Sequence, residues 1–282
     1  MQGWALRETA REINDLDDIV EERVGFVAPD GEAVRGIVLR PRKEAQPGPA
    51  ILYIHAHGNR HAIGASELTE GRPALQGALG PVLARAGFVT LCIDLPCFGE
   101  RSHNSESAAA KAMLWRGENL AGRMLGELAS AMDWLAARPD VDAGRIGAFG
   151  ISMGATLGYW LAAVDPRIAA VAHLCCYADF QTLIEAGVHD LHGIYLTVPG
   201  LLPVAGNGEI AGLIAPRRQL ICIGDLDPLT PPAAVDKAWA QTRDTYRQAG
   251  AEDKLTLHRE AQTGHQESPA MRRAVLAFFD RL

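Results

Sequence analysis

The chain has 282 residues, of which 48% are hydrophobic, and 27 lysines and arginines stand against 34 aspartates and glutamates, for a net charge of −7. This length is enough for one large hydrophobic core, and an acidic balance without a basic cluster argues against a nucleic-acid surface. The start lacks the basic and apolar segments of a secretory signal, and no apolar run is long enough to span a bilayer. We expect a single domain over residues 1–282 in the cytoplasm, acting on a small molecule, with no membrane association.

The cysteines number five, an odd count, and they lie in apolar runs or a turn. This placement favours reduced thiols in a reducing compartment, without a disulfide framework. No Cys/His spacing typical of zinc is present. The cysteines are Cys92, Cys97, Cys175, Cys176 and Cys222.

In chain order, the polar segment 1–20 is predicted to be helical, and residues 24–28 and 33–40 flank a Pro-Asp-Gly turn that predicts an antiparallel hairpin. Apolar runs then alternate with helical stretches, which favours a mostly parallel, eight-stranded sheet with helices on both faces. The predicted strands after the hairpin are 50–54, 88–93, 146–149, 168–174, 219–223 and 254–258. The predicted helices are 67–86, 118–137, 155–164, 233–249 and 268–282.

Two stretches fall outside this alternation. Residues 97–117 are polar and predicted to form a loop, whereas residues 177–216 are rich in glycine, proline and apolar residues. A long excursion in a compact domain is commonly a lid or binding loop, so we interpret 177–216 as a cap-like insertion over a pocket. An ordinary packed connection is the alternative. Trp115 and Trp160 are predicted to be core residues.

The five residues Gly150-Ile151-Ser152-Met153-Gly154 stand where a buried strand should turn into a small-residue helix. This context is that of a nucleophile elbow, in which the glycines permit a strained turn and close packing of strand against helix. We therefore predict that Ser152 is a nucleophile at the carboxyl end of the sheet.

A serine nucleophile needs a base and a group that orients the base, in the chain order serine, acid, histidine. Asp227 is the predicted acid, since it lies in the proline-rich loop after strand 219–223, with Asp225 as the alternative. The predicted base is His265, which follows the last strand, and His258 is its rival.

An oxyanion hole requires two backbone N–H donors, one of them after the nucleophile. Met153 is predicted to supply the first and Asn59 the second, because Gly58 allows close approach of the loop after strand 50–54. The nearby His55, His57 and His61 could also suggest a metal site, but no matching carboxylate pattern is evident in the sequence. We expect neither a metal nor a cofactor.

With the elbow, the acid loop and the terminal histidine in place, the chain resembles the α/β-hydrolase superfamily over residues 33–282. Within it, the chain is similar to the dienelactone hydrolase, acetyl xylan esterase and prolyl-oligopeptidase-like branches. It departs from two of them. Dienelactone hydrolases carry a cysteine where Ser152 stands, and prolyl-oligopeptidase enzymes add a propeller domain, for which this sequence has no residues. The resemblance implies an α/β-hydrolase fold.

The leading functional hypothesis is a serine hydrolase that cleaves a small or medium carboxylic ester through an acyl-enzyme. Alternatives are amide or peptide cleavage, acyl transfer to an alcohol, and a binding protein that kept the fold without the chemistry. We expect His57, His192 and Tyr195 to contact substrate. A homodimer is a further expectation.

Overall fold

The computed structural model describes residues 5–42 and 46–282. Its centre is a nine-stranded sheet in the order β1-β2-β3-β5-β4-β6-β7-β8-β9. Strands β1 to β3 and the β3–β5 pair are antiparallel, and all other pairs are parallel. The strands are β1 Arg7–Leu16, β2 Ile19–Val27, β3 Ala33–Pro41, β4 Gly48–Ile54, β5 Val89–Ile93, β6 Val141–Ile151, β7 Ile168–Leu174, β8 Arg218–Gly224 and β9 Leu255–Glu260.

Helices cover both faces of this sheet, as the alternation of side chains along β4 shows. Leu52 and Ile54 belong to a core that includes residues of α4 and α5, whereas Ile51 and Tyr53 belong to a second core with residues of α2 and α9. The helices are α1 Glu67–Glu70, α2 Gly80–Arg85, α3 Glu106–Trp115, α4 Leu120–Ala136, α5 Met153–Val164, α6 Phe180–Glu185, α7 Asn207–Gly212, α8 Pro232–Gln248 and α9 Pro269–Phe279. The predicted fold class is confirmed, with nine strands instead of eight.

The extra strand is β1, and the prediction of a helix at the amino terminus is wrong. Within the described residues, Arg7–Leu16 pairs with Ile19–Val27 as a hairpin. Most side chains of β1 are exposed because it is the edge strand, so its sequence lacks the apolar alternation that identifies a half-buried strand. Residues 1–4 of the predicted helix lie outside the described residues.

Three further predictions are wrong. The predicted loop 97–117 contains α3, whose amino terminus is capped by the Ser105 hydroxyl, which accepts from the Ala108 amide at 3.4 Å. The predicted helix 67–86 is interrupted after Glu70, where Gly71 has φ of 72°. Trp115 is 91% exposed at the end of α3, although Trp160 is buried as predicted.

Residues 177–216, which we call the insertion, connect β7 to β8 and contain α6, α7 and two 3₁₀ turns. Asn207 anchors the insertion. Its Oδ1 accepts from the indole N–H of Trp160 at 3.0 Å, and its Nδ2 donates to the Ala178 carbonyl at 3.1 Å. None of the helices in the described part of the chain is long and apolar enough to cross a bilayer.

Candidate active site

The turn between β6 and α5 places Ser152 at the carboxyl end of the sheet. Its backbone has φ of 58° and ψ of −121°, a strained conformation for a residue other than glycine. A Cβ at Gly154 would lie 1.9 Å from the Ile54 carbonyl oxygen, and one at Gly150 would lie 2.2 Å from the Gly154 backbone. Both positions therefore require glycine, and their packing holds the strained serine in place.

His265 and Asp227 converge on this serine from the loops after β9 and β8. The His265 Nε2 lies 2.9 Å from the Ser152 Oγ, and its Nδ1 lies 2.7 Å from the Asp227 Oδ2. Because a carboxylate only accepts, Nδ1 carries the proton and Nε2 is left to accept from the serine hydroxyl. Asp227 is buried, and the Leu229 amide donates to its other oxygen at 2.9 Å. The arrangement can move a proton from the serine to the histidine.

The alternative acid, Asp225, and the alternative base, His258, contact other residues and not Ser152. Asp225 forms an ion pair with Arg259 at 2.5 Å, and both side chains are about one-quarter exposed. The His258 Nε2 lies 2.8 Å from the Glu260 carboxylate. Their geometry favours structural roles.

The two predicted oxyanion donors differ in availability. The Met153 amide is the first of α5, and the first N–H groups of a helix have no partner within the helix. The Asn59 amide, in a left-handed turn with φ of 54°, donates to the His57 Nδ1 at 3.0 Å. An oxyanion would therefore share or displace that hydrogen bond, and the role of Asn59 stays a prediction.

The buried carboxylate of Glu67 holds the start of the loop that carries Asn59. Glu67 accepts from the Tyr53 hydroxyl at 2.9 Å and from the Ala56 amide at 3.0 Å, and it pairs with Arg72. Arg72 in turn donates to the Ala56 carbonyl at 2.9 Å. These contacts fix the backbone before the loop enters the site.

A functional residue that the sequence analysis missed is Glu106, at the start of α3. Its Oε2 accepts from the His57 Nε2 at 2.7 Å, and its Oε1 accepts from the Tyr195 amide at 3.1 Å. The Tyr195 ring also stacks on His57, with centroids 5.7 Å apart. Glu106 thus joins the loop that carries His57 and Asn59 to the insertion. Ser105 followed by strong helix formers is the signal that could have placed a helix start here.

Substitution of Glu106 by glutamine is expected to lower kcat for an ester about 10- to 100-fold with little change in KM, less than the loss of an oxyanion donor typically costs. A glutamine amide can satisfy only one of the two donors as an acceptor, so His57 loses its anchor and the Asn59 amide shifts. Steady-state measurements should show a lower kcat, and the rate of fluorophosphonate labelling should fall with it.

The matched control is Glu118→Gln, which removes an exposed carboxylate near the other end of α3. It should leave kcat unchanged. An unchanged kcat in the Glu106 variant, or a loss confined to KM, would contradict a positioning role.

Cys176 is a thiol-bearing neighbour of the nucleophile. Its Sγ lies 3.8 Å from the Ser152 Oγ and 3.9 Å from the His192 Nδ1, and its backbone has φ of 44°. Burial raises the pKa of this thiol to about 12. Since the thiolate is the reactive form, the side chain is a poor competitor for the nucleophilic role.

We accordingly expect iodoacetamide at pH 7.5 to leave ester turnover unchanged over an hour, because almost no Cys176 thiolate exists at that pH. Residual activity after treatment checks this, with Cys176→Ala as the comparison. Rapid inactivation of the native protein but not of the variant would contradict it.

The pocket around Ser152 has a volume of about 400 Å³. His57, His192 and Tyr195, the predicted substrate contacts, all line it together with His265. His192 donates through Nε2 to the Leu229 carbonyl at 3.0 Å, and burial lowers its pKa. The remaining lining residues are Gly58, Asn59, Cys176, Leu191, Gly193, Pro228 and Leu229.

A cluster of possible metal ligands lies beside the pocket: the ligand atoms of His57, His61 and Glu106 are within 4.8 Å of one another. A metal on the His57 Nε2 would place that ring's proton on Nδ1, opposite the Asn59 N–H. The existing hydrogen bonds require the other tautomer. The cluster therefore suits a hydrogen-bonded support of the loop better than a metal.

The sheet order, the elbow and the convergence of loops after β6, β8 and β9 define an α/β-hydrolase. The family described as X-Pro dipeptidyl-peptidase (S15 family) matches residues 30–276, and the chain belongs to this family. The chain is 35% identical to the "Putative hydrolase YtaP" of Bacillus subtilis (strain 168) over 277 residues, which cover 98% of this chain and 91% of that protein.

Solved structures of esterases share the fold. A glucuronoyl esterase from Solibacter usitatus superposes with a TM-score of 0.70 at 15% identity, over 99% of this chain and 86% of the other. Acetyl Xylan Esterase 1 from Thermoanaerobacterium sp. superposes with a TM-score of 0.64 at 18% identity, over 99% and 87%. At such identities the likeness establishes the architecture, and the α/β-hydrolase resemblance is confirmed.

Proposed function

We propose that this protein is a serine hydrolase that cleaves a carboxylic ester through an acyl-enzyme, without a metal or cofactor. One observation carries the proposal: the His265 imidazole bridges the Ser152 hydroxyl and the buried Asp227 carboxylate, at 2.9 and 2.7 Å. A base in this tautomer can activate the serine and is oriented by the acid.

In the proposed reaction the Ser152 Oγ attacks the ester carbonyl as its proton passes to the His265 Nε2. The developing oxyanion accepts from the Met153 amide, and from Asn59 once that amide turns from His57. His265 then donates the proton to the leaving alcohol, and the serine keeps the acyl group. Water, activated by the same imidazole, releases the acid and restores the hydroxyl.

Release of an X-Pro dipeptide from the amino terminus of a peptide is the second candidate, since the family description names a dipeptidyl-peptidase. Such a substrate presents a free amino-terminal ammonium, which a binding site would pair with a carboxylate. Among the described residues that line the Ser152 pocket, none is an aspartate or glutamate. Glu106 stands behind His57 and already accepts two hydrogen bonds. The pocket therefore favours a neutral ester.

The two candidates are separated by comparing kcat/KM for p-nitrophenyl acetate and for an Ala-Pro p-nitroanilide. We expect turnover of the ester and little or none of the anilide. Preferential turnover of the anilide would overturn the ester assignment and establish peptidase activity. Product analysis in the presence of an added alcohol distinguishes hydrolysis from acyl transfer on the same triad.

We also propose a cytoplasmic location, supported by the five free and buried cysteines, which suit a reducing compartment. Fractionation of the source cells tests the location. The homodimer stays a prediction, which light scattering coupled to size-exclusion chromatography can test.

A further inference from the structure

A second cavity lies inside the insertion, with a volume of about 560 Å³. Its wall is mainly hydrocarbon, whereas exposed polar residues, His189 and Asp190, stand at its rim. An apolar body with a polar mouth is the usual construction of a small-molecule site. The principal apolar lining residues are Phe180, Leu183, Ile194, Leu196, Val198 and Leu201.

This cavity adjoins the Ser152 pocket. His192 and Gly193 line both spaces, so the two cavities are neighbours across these residues. On the catalytic side, the His192 Nδ1 lies 3.9 Å from the Cys176 Sγ, which itself lies 3.8 Å from the nucleophile. A Cβ at Gly193 would lie 2.7 Å from the Tyr195 ring and 3.0 Å from the His57 Nε2. The backbone at Gly193 is therefore packed tightly against the Ser152 pocket.

We propose that this cavity is a subsite that binds a hydrocarbon group of the ester, reached from Ser152 past His192. The proposal rests on the proposed function. Burial lowers the pKa of His192, so this residue presents a neutral ring to the passing group. The inference narrows the substrate class to esters with an apolar chain, as opposed to short acetates of sugars, whose hydroxyls would find few partners on this wall.

The experiment measures kcat/KM in two series of esters. The first is p-nitrophenyl acetate, butyrate, hexanoate and octanoate, in which only the acyl chain grows. The second is ethyl, butyl, hexyl and octyl acetate, in which only the alcohol grows. A chain that enters the cavity should raise kcat/KM about fourfold for each added methylene that is buried. The series that rises identifies which side of the ester occupies the subsite.

Val198→Phe places a larger side chain in the cavity, and Val204→Phe is its matched control. Val204 belongs to the same insertion, is 82% exposed and does not line either cavity. We expect Val198→Phe to lower kcat/KM for the longest ester of the rising series about 15-fold, the worth of about two methylenes. It should leave kcat/KM unchanged for the shortest esters, p-nitrophenyl acetate and ethyl acetate. Val204→Phe should leave kcat/KM unchanged for the long and the short esters. Should Val198→Phe fail to fold, Val198→Ala should shift the preference toward longer chains.

Failure of the subsite and failure of the function give different results. Turnover of the esters with no dependence on chain length in either series, or equal effects of the two phenylalanine variants, would overturn the subsite and leave the esterase intact. Absence of turnover for every ester, in protein that fluorophosphonate still labels, would overturn the proposed function and the subsite with it.

Discussion

Replacement of Ser152 by alanine is expected to lower ester turnover by at least about 10⁴-fold and to abolish covalent labelling by a fluorophosphonate. The variant keeps the oxyanion donors and the His265–Asp227 pair, so a small residual rate above water is expected. It removes one oxygen from a residue that is only 8% exposed, and alanine keeps the Cβ that the strained turn already accommodates. The fold should therefore survive, which circular dichroism can check.

Ser107→Ala provides the matched control, because it removes a hydroxyl from an exposed position on α3. Turnover and labelling of this variant should equal those of the native protein. Undiminished turnover in Ser152→Ala on every ester tried would end the proposed mechanism.

Replacement of Asp227 by asparagine is expected to lower kcat by about 10⁴-fold, close to the loss of the nucleophile itself. The carboxylate accepts from the His265 Nδ1 at 2.7 Å and so keeps the proton away from Nε2. An asparagine can instead turn its amide N–H toward Nδ1, which places the imidazole proton on Nε2 and prevents it from accepting from Ser152. The substrate contacts are unchanged, so KM should change little.

Asp225→Asn tests the alternative acid with the same chemical change two residues away. This substitution weakens a partly exposed ion pair with Arg259, and ion pairs near the surface contribute at most about 1 kcal/mol. We expect kcat within about twofold of the native value. A large loss in the Asp225 variant with retained activity in Asp227→Asn would reverse the assignment of the acid.

The parallel part of the sheet could be predicted because its strands are buried on both faces. Runs such as residues 50–54 are continuously apolar, and that pattern identifies a central strand of an α/β fold. The edge strand β1 could not be recognised, since most of its side chains face solvent and its pairing with β2 leaves no apolar alternation in the sequence. Trp115 was misplaced for a related reason: residue type indicates burial only on average, and this indole lies at the exposed end of α3.

The meeting of Ser152, Asp227 and His265 followed from motif context and chain order, because consecutive parallel strands end at one edge of the sheet. Glu106 could not be found in this way. Its partners, His57 and Tyr195, lie 49 and 89 residues away, and its own segment was interpreted as a loop. The hydrogen bond that occupies the Asn59 amide depends on the His57 rotamer, which sequence patterns do not specify.

The link that Glu106 makes between His57 and the Tyr195 backbone bears on chimeras with other hydrolases. A transplanted insertion would bring a Tyr195-like amide but not its acceptor, which resides on α3 outside the exchanged piece. Such a graft would lose a docking point of the insertion. Exchanges meant to alter selectivity should therefore carry the segment from Ser105 to Trp115 together with residues 177–216.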